Sequence, residues 1–104
     1  MKKYICCIHD KKADVYEGFM MFDNLSQAVR SFQQGCEQVD TFKKWPEDYE
    51  MILVCVIKYE NGEIDDKGNV TKKGQFLPAE ELYTVIAQAK EFVAIANAKR
   101  AQKD

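Results

Sequence analysis

A chain of 104 residues with 46% hydrophobic content suits one domain with a real core, which excludes general disorder. Fifteen basic and 17 acidic residues give a formal charge of -2. That balance excludes the global positive field of a nucleic-acid coat protein, so any nucleic-acid contact must come from a local patch.

Lys3 to His9 is β-branched and aromatic and reads as a strand. Asp10 to Asp14 is turn-like, and Val15 to Phe22 reads as a second, antiparallel strand in which Gly18 marks a bulge. Asn24 has the character of a helix N-cap, with Gln27 three residues on as in a capping box. Leu25, Ala28, Val29, Phe32, Cys36 and Val39 then recur at helical spacing, and the helix runs through Gly35 at a cost of about 1 kcal/mol relative to alanine.

Phe42, Lys43, Lys44 and Trp45 form a basic, aromatic loop that holds the single tryptophan. The loop leads into the most apolar run of the chain, Met51 to Ile57, which reads as a strand buried on both faces. Asn61-Gly62 is a hairpin signal, and Asp65 to Gly74 is a polar excursion or a short ribbon closed by Phe76 and Leu77. Pro78 suits the first position of a helix, with Glu80 and Glu81 in its first turn. Leu82, Val85, Ile86, Ala89, Phe92, Val93 and Ala96 form a broad apolar stripe along it, and Lys99, Arg100 and Lys103 suit its C-terminal end.

The predicted architecture is α+β: a small antiparallel sheet of order 2-1-3, one amphipathic helix, and a long C-terminal helix, in the order β-β-α-β-turn-α. A single domain spans 1–104. The helix at 79–104 either packs over the sheet of its own chain or forms a homodimer, with helices exchanged between copies. The dimer is preferred, because about 24 helical residues span roughly 36 Å and outreach a small sheet. Its interface would be Leu82, Val85, Ile86, Ala89, Phe92, Val93 and Ala96.

The residues Asp10, Lys12, Ala13, Tyr16 and Phe19, then Ala28-Val29-Arg30 with Phe32, form a series. It continues through Phe42, Pro46, Asp48-Tyr49, Leu53, Tyr59, Gly62 and Ile64. In order and rough spacing this series resembles the small non-structural protein family of gokushovirus-type microviruses, tailless phages with circular single-stranded DNA. The resemblance covers the first two-thirds of the chain and stops near Ile64. It implies a protein outside the capsid, associated with DNA binding or replication, and it brings no catalytic signature.

Catalysis and metal binding find little support in the residue pattern. Cys7 and His9 share a strand face, which permits a Cys-His dyad, but nothing supplies an oxyanion site. Cys6 and Cys7 point to opposite faces and cannot readily chelate one ion. Asp65, Asp66 and Asn69 lack the ligand spacing of a calcium loop. No phosphate-cradling or dinucleotide glycine motif occurs, so neither an enzyme nor a cofactor is expected. Cys6, Cys7, Cys36 and Cys55 show no Cys-x-x-Cys pair, and with no signal peptide they read as reduced thiols of the host cytoplasm. The apolar run from Tyr4 to Ile8 is too short to span a membrane.

Single-stranded nucleic acid is held by basic side chains along its backbone and aromatic rings on its bases. Lys43, Lys44 and Trp45 are the main candidates, supported by Lys11, Lys12 and Arg30, with Lys72 and Lys73 joining if the loops gather at one end of the sheet. Against this stands a reading in which Phe42, Trp45 and Tyr49 cap the core and the lysines are solvated charge. Taken with the resemblance, which implies a phage protein, the leading expectation is a non-enzymatic protein that binds single-stranded DNA during replication or packaging. The alternative is an adaptor for a host or phage replication protein.

Overall fold

The computed structural model describes residues 1–78 and 80–92. Its sheet contains β1 (Lys2–Asp10), β2 (Val15–Phe22), β3 (Tyr49–Glu60) and β7 (Glu80–Gln88) in the order β2-β1-β3-β7, all antiparallel. The α+β class and the 2-1-3 core order follow the sequence expectation. Helix α1 (Leu25–Gln38) crosses one face of the sheet, and the short helix α2 (Asp40–Lys44) and a 3-10 turn (Pro46–Asp48) lead into β3.

Alternation along the strands sorts the side chains. Cys6 and Ile8 of β1, Tyr49, Met51 and Leu53 of β3 and Ala87 of β7 join Ala28, Phe32 and Cys36 of α1 in one core. The three helix residues are spaced by four, so they lie on one face. On the far face Cys7 and Ile52 are buried as well, which fits the expected two-sided burial of β3.

Helix α1 starts where its cap residues place it. The Asn24 side-chain oxygen accepts from the Gln27 N–H at 2.9 Å. The Gln27 side chain reaches back to the Asp23 N–H at 3.3 Å, one residue earlier than in a standard capping box. Lys3 and Asp23 form an ion pair that ties β1 to the helix entry. The bulge expected at Gly18 is present: β2 carries an extra residue between the pairs Cys6–Met20 and Ile8–Glu17, and Gly18 has φ +63. That left-handed conformation suits glycine.

Two expectations need correction. Residues 80–88 are not helical; they form β7, which pairs with β3 from Glu50–Gln88 to Val56–Glu80. The helical spacing of Leu82, Val85 and Ile86 was overridden by the exposed edge of β3, which a strand satisfies with ladder hydrogen bonds and a helix cannot. The β-branched and aromatic run Tyr83-Thr84-Val85-Ile86 suits a strand. The chain turns helical only at 89–92, and the rest of the expected stripe, Val93 and Ala96, lies outside the described residues.

The second correction concerns Asn61-Gly62, which does not close a hairpin onto β3. The partner of β3 there is β6 (Gln75–Phe76), through Tyr59–Phe76 and Glu60–Gln75. Between them lies a ribbon of β4 (Glu63–Ile64) and β5 (Val70–Lys72). Its turn is held by the Asp65 carboxylate, which accepts from the N–H groups of Lys67 and Asn69, each at 2.9 Å.

Candidate nucleic-acid interface

The turn between β1 and β2 is built by Asp10, whose carboxylate accepts from the N–H groups of Lys12 and Ala13 at 3.1 and 3.2 Å. This is the local side-chain mimicry of a backbone turn that favours aspartate here. The Lys11 N–H then donates to the Asp48 carbonyl at 2.8 Å. That bond fastens the first lysine-bearing turn to the segment that carries Lys43, Lys44 and Trp45.

The second segment is equally constrained. The Trp45 N–H donates to the Thr41 carbonyl at 3.0 Å, and the Asp48 N–H donates to the Trp45 carbonyl at 3.1 Å. Pro46 opens the 3-10 turn, where its missing N–H costs nothing. In α2, Asp40 stands in the first turn and Lys43 and Lys44 in the last, each favourable to the helix dipole.

The aromatic residues of this end divide. Phe42 packs inward, with ring centroids 5.9 Å from Phe32 and 4.6 Å from Tyr49. Tyr49 is buried in the core. Burial, followed by the carboxylates of Asp10, Glu17 and Asp48, pushes its phenol above the ordinary value. Trp45 remains 48% exposed, and the Lys44 ammonium sits 4.7 Å from its ring centroid. The core-capping reading therefore holds for Phe42 and Tyr49 and fails for Trp45.

Trp45, Tyr49, Asp48, Asp10, Lys12 and Ala13 line an open groove of about 400 Å³. Lys43 leans towards Asp40, with 3.5 Å between Nζ and Oδ1. Such an exposed pair holds its lysine only weakly. Lys11, Lys12, Lys43, Lys44 and Trp45 thus gather at one end of the sheet. Arg30 does not join them; it lines a separate groove on α1 with Leu25, Ser26, Val29 and Gln33. Lys72 and Lys73 lie beside Gly62 and Gly74 in the ribbon, at the opposite end of β3.

The residues expected at a dimer interface are scattered. Val85 is exposed, Ala89 is fully buried, and Ile86 and Phe92 pack on the core, Phe92 edge-on to Phe32 at 6.1 Å. Leu82 lies within β7.

A polar cluster that the sequence did not reveal stands on the far face at the same end. His9 Nδ1 is 2.8 Å from Glu50 Oε2, and His9 Nε2 is 2.9 Å from Asp14 Oδ1. Tyr16 stacks on the imidazole with centroids 4.3 Å apart. Both ring nitrogens can donate only in the imidazolium form. The hydrogen bond to Glu50, then that to Asp14, raises the His9 pKa above its ordinary value. The signal lay in the register, because Glu50 is the direct cross-strand partner of His9. Both nitrogens of His9 are thus committed to carboxylates rather than to Cys7. Burial pushes the Cys6 and Cys36 thiols up to about 11, and raises that of Cys7. Among the described residues no group of His, Cys, Asp and Glu side chains is placed to hold a metal ion, and no helix is long and apolar enough to cross a membrane.

No curated protein and no solved structure matches the chain. A family model described as Phage ORF5 protein matches residues 3–73, from β1 through the β4–β5 ribbon and more than half of the chain. The chain belongs to the Phage ORF5 protein family.

Proposed function

We propose that this phage protein is the non-structural protein of a gokushovirus-type microvirus and binds single-stranded DNA in the host cytoplasm, outside the virion, as an accessory to genome replication or packaging. The observation that carries the reading is the Lys11–Asp48 backbone bond. It joins two lysine-bearing segments around a half-exposed tryptophan. Trp45 would stack on a base, while Lys11, Lys12, Lys43 and Lys44 meet the flanking phosphates. Arg30, on its own groove, would contribute only at longer range. The overall charge of -2 limits such binding to this end.

The test is a titration of a fluorescent oligonucleotide at several salt concentrations. Binding should weaken with salt at a slope of about -3, as expected when up to about four phosphates are neutralised on a single strand. Trp45→Ala should weaken it about 5- to 160-fold, the range of one lost base–aromatic stack. No binding at low salt, or binding indifferent to Trp45→Ala combined with Lys43→Ala and Lys44→Ala, would overturn the reading.

A second reading rests on the groove of about 420 Å³ along α1, where Leu25 is partly exposed beside Val29 and Arg30. In this reading the protein is an adaptor that presents α1 to a host or phage replication protein. Pull-down from infected cells with nuclease present separates the two, since an association through DNA is then lost.

A further inference from the structure

The strand β2 is an outer strand of the sheet, and its side chains are unusually apolar for that position. Val15, Tyr16, Phe19, Met20 and Met21 are each between 40% and 60% exposed. Glu17 is the only charge in the strand. The other outer strand, β7, differs. It has two breaks of register against β3, and Tyr83 stands at φ 45. Irregularities of this kind blunt an edge against pairing with another chain. In β2 the one irregularity is the Gly18 bulge.

The five side chains leave roughly 500 Å² of apolar surface exposed, taking large side chains at about 150–250 Å² each. It is divided between the two faces, with Tyr16 and Met21 on one side of the edge and Val15 and Met20 on the other, so the edge is apolar on both sides. A stable interface buries roughly 800 Å² per partner, so the strand backbone and the apolar side chains on both sides of the edge must all contribute.

We propose that a second copy of this chain covers the edge, pairing β2 with β2 antiparallel about a two-fold axis to make one continuous sheet in the order β7-β3-β1-β2-β2-β1-β3-β7. A two-fold interface is self-complementary, so this one edge supplies both halves, with its single bulge at the axis. The bulge fixes the register. Tyr16 and Met21 stand opposite His9 and Ile5 of β1, which share a face. Val15, Glu17, Met20 and Phe22 stand opposite Asp10, Ile8, Cys6 and Tyr4, which share the other. In a regular strand, residues 16 and 21 would point to opposite faces; the extra residue at Gly18 brings them to the same one. An axis between Gly18 and Phe19 therefore opposes like faces throughout. Tyr16 meets Met21 of the second copy, Glu17 meets Met20, Val15 meets Phe22, and Phe19 lies across from Gly18. This assembly does not depend on DNA binding.

Sedimentation of the whole chain between about 1 and 100 μM, the range that brackets ordinary dimer affinities, tests the proposal. The unmodified protein should be a dimer. Met21→Lys and Phe19→Lys should each yield monomers with unchanged circular dichroism, whereas Val85→Lys on the other edge strand should remain dimeric. In a second assay, Tyr16→Cys chains mixed with Met21→Cys chains should give a covalent heterodimer on mild oxidation, and Val85→Cys with Met21→Cys should not. Should the lysine variants fail to fold, the cysteine pair decides alone. A monomeric unmodified protein, a dimer that survives both lysine substitutions, or no crosslink between the Tyr16→Cys and Met21→Cys chains would overturn the proposal.

Discussion

The Nδ1 of His9 lies 2.8 Å from Oε2 of Glu50, its direct partner across the β1–β3 ladder. Asp14, at φ 53, closes on the other ring nitrogen from the β1–β2 turn. The imidazole thus clamps one turn and two strands at the end of the sheet that carries the lysine segments. Because Glu50 is itself buried, the pair must stay charge-matched to be tolerated.

The clamp makes stability depend on pH. The folded-state pKa of His9 is raised above 6.5, chiefly by Glu50 and then by Asp14. A raised pKa means that the folded state binds the proton more tightly than the unfolded one. The contribution is therefore complete below 6.5, where both states are protonated, and disappears as pH rises through the folded-state value. Thermal melts should show the midpoint falling across that window. Glu50→Gln should flatten the fall and bring the His9 titration, followed by NMR, back towards its ordinary value. An unchanged slope in Glu50→Gln would show that the clamp is energetically idle.

Phe42 and Trp45 stand three residues apart and should behave oppositely. Phe42 packs between Phe32 and Tyr49, so Phe42→Ala should lower the unfolding free energy by about 3 kcal/mol, as for a truncated core aromatic. Trp45 is half exposed, and Trp45→Ala should cost about 1 kcal/mol or less, most of it the Lys44 contact. Urea unfolding of the two variants beside their oligonucleotide titrations separates the core from the proposed interface. Only Trp45→Ala should lose binding while keeping its stability.

At the entry to α1, Asn24→Ala removes the acceptor for the Gln27 N–H and should cost about 1 kcal/mol. Asn24→Asp should retain most of the stability, since its carboxylate accepts the same bond and suits the helix dipole. Denaturant midpoints of the two variants provide the measurement.

These particulars show where the sequence was legible. Asn24, the Gly18 bulge and the spacing of Ala28, Phe32 and Cys36 are local signals, and the fold uses each where it stands. Residues 80–88 have a spacing that fits a helix, but their partner is the edge of β3, some 30 residues away in sequence. Tertiary pairing outweighed local period. The lysine end was half legible. Residue types marked Lys11, Lys12, Lys43, Lys44 and Trp45, but the Lys11–Asp48 bond that joins them, and the separation of Arg30, Lys72 and Lys73, are long-range facts. Sequence spacing ties His9 to its neighbour Cys7 rather than to Glu50, because the cross-strand pair exists only once the register is set.

Gly35 and Gly62 give the last contrast. A Cβ built on Gly35 meets the Phe42 ring at 3.4 and 3.7 Å, which is ordinary contact, and the residue lies inside a helix. Gly35→Ala should therefore raise stability by up to about 1 kcal/mol, the difference in helix propensity. A Cβ on Gly62 would stand 2.4 Å from the Lys72 carbonyl oxygen and 2.8 Å from the Gly74 nitrogen. Both are backbone atoms that cannot step aside without opening the base of the β4–β5 ribbon. Gly62→Ala should cost about 1–3 kcal/mol, as for a forced insertion into a packed site. It should also speed hydrogen exchange in the ribbon while leaving the core strands protected, because the strain falls where the two segments cross. Equal effects of the two substitutions on denaturant midpoints would contradict this assignment.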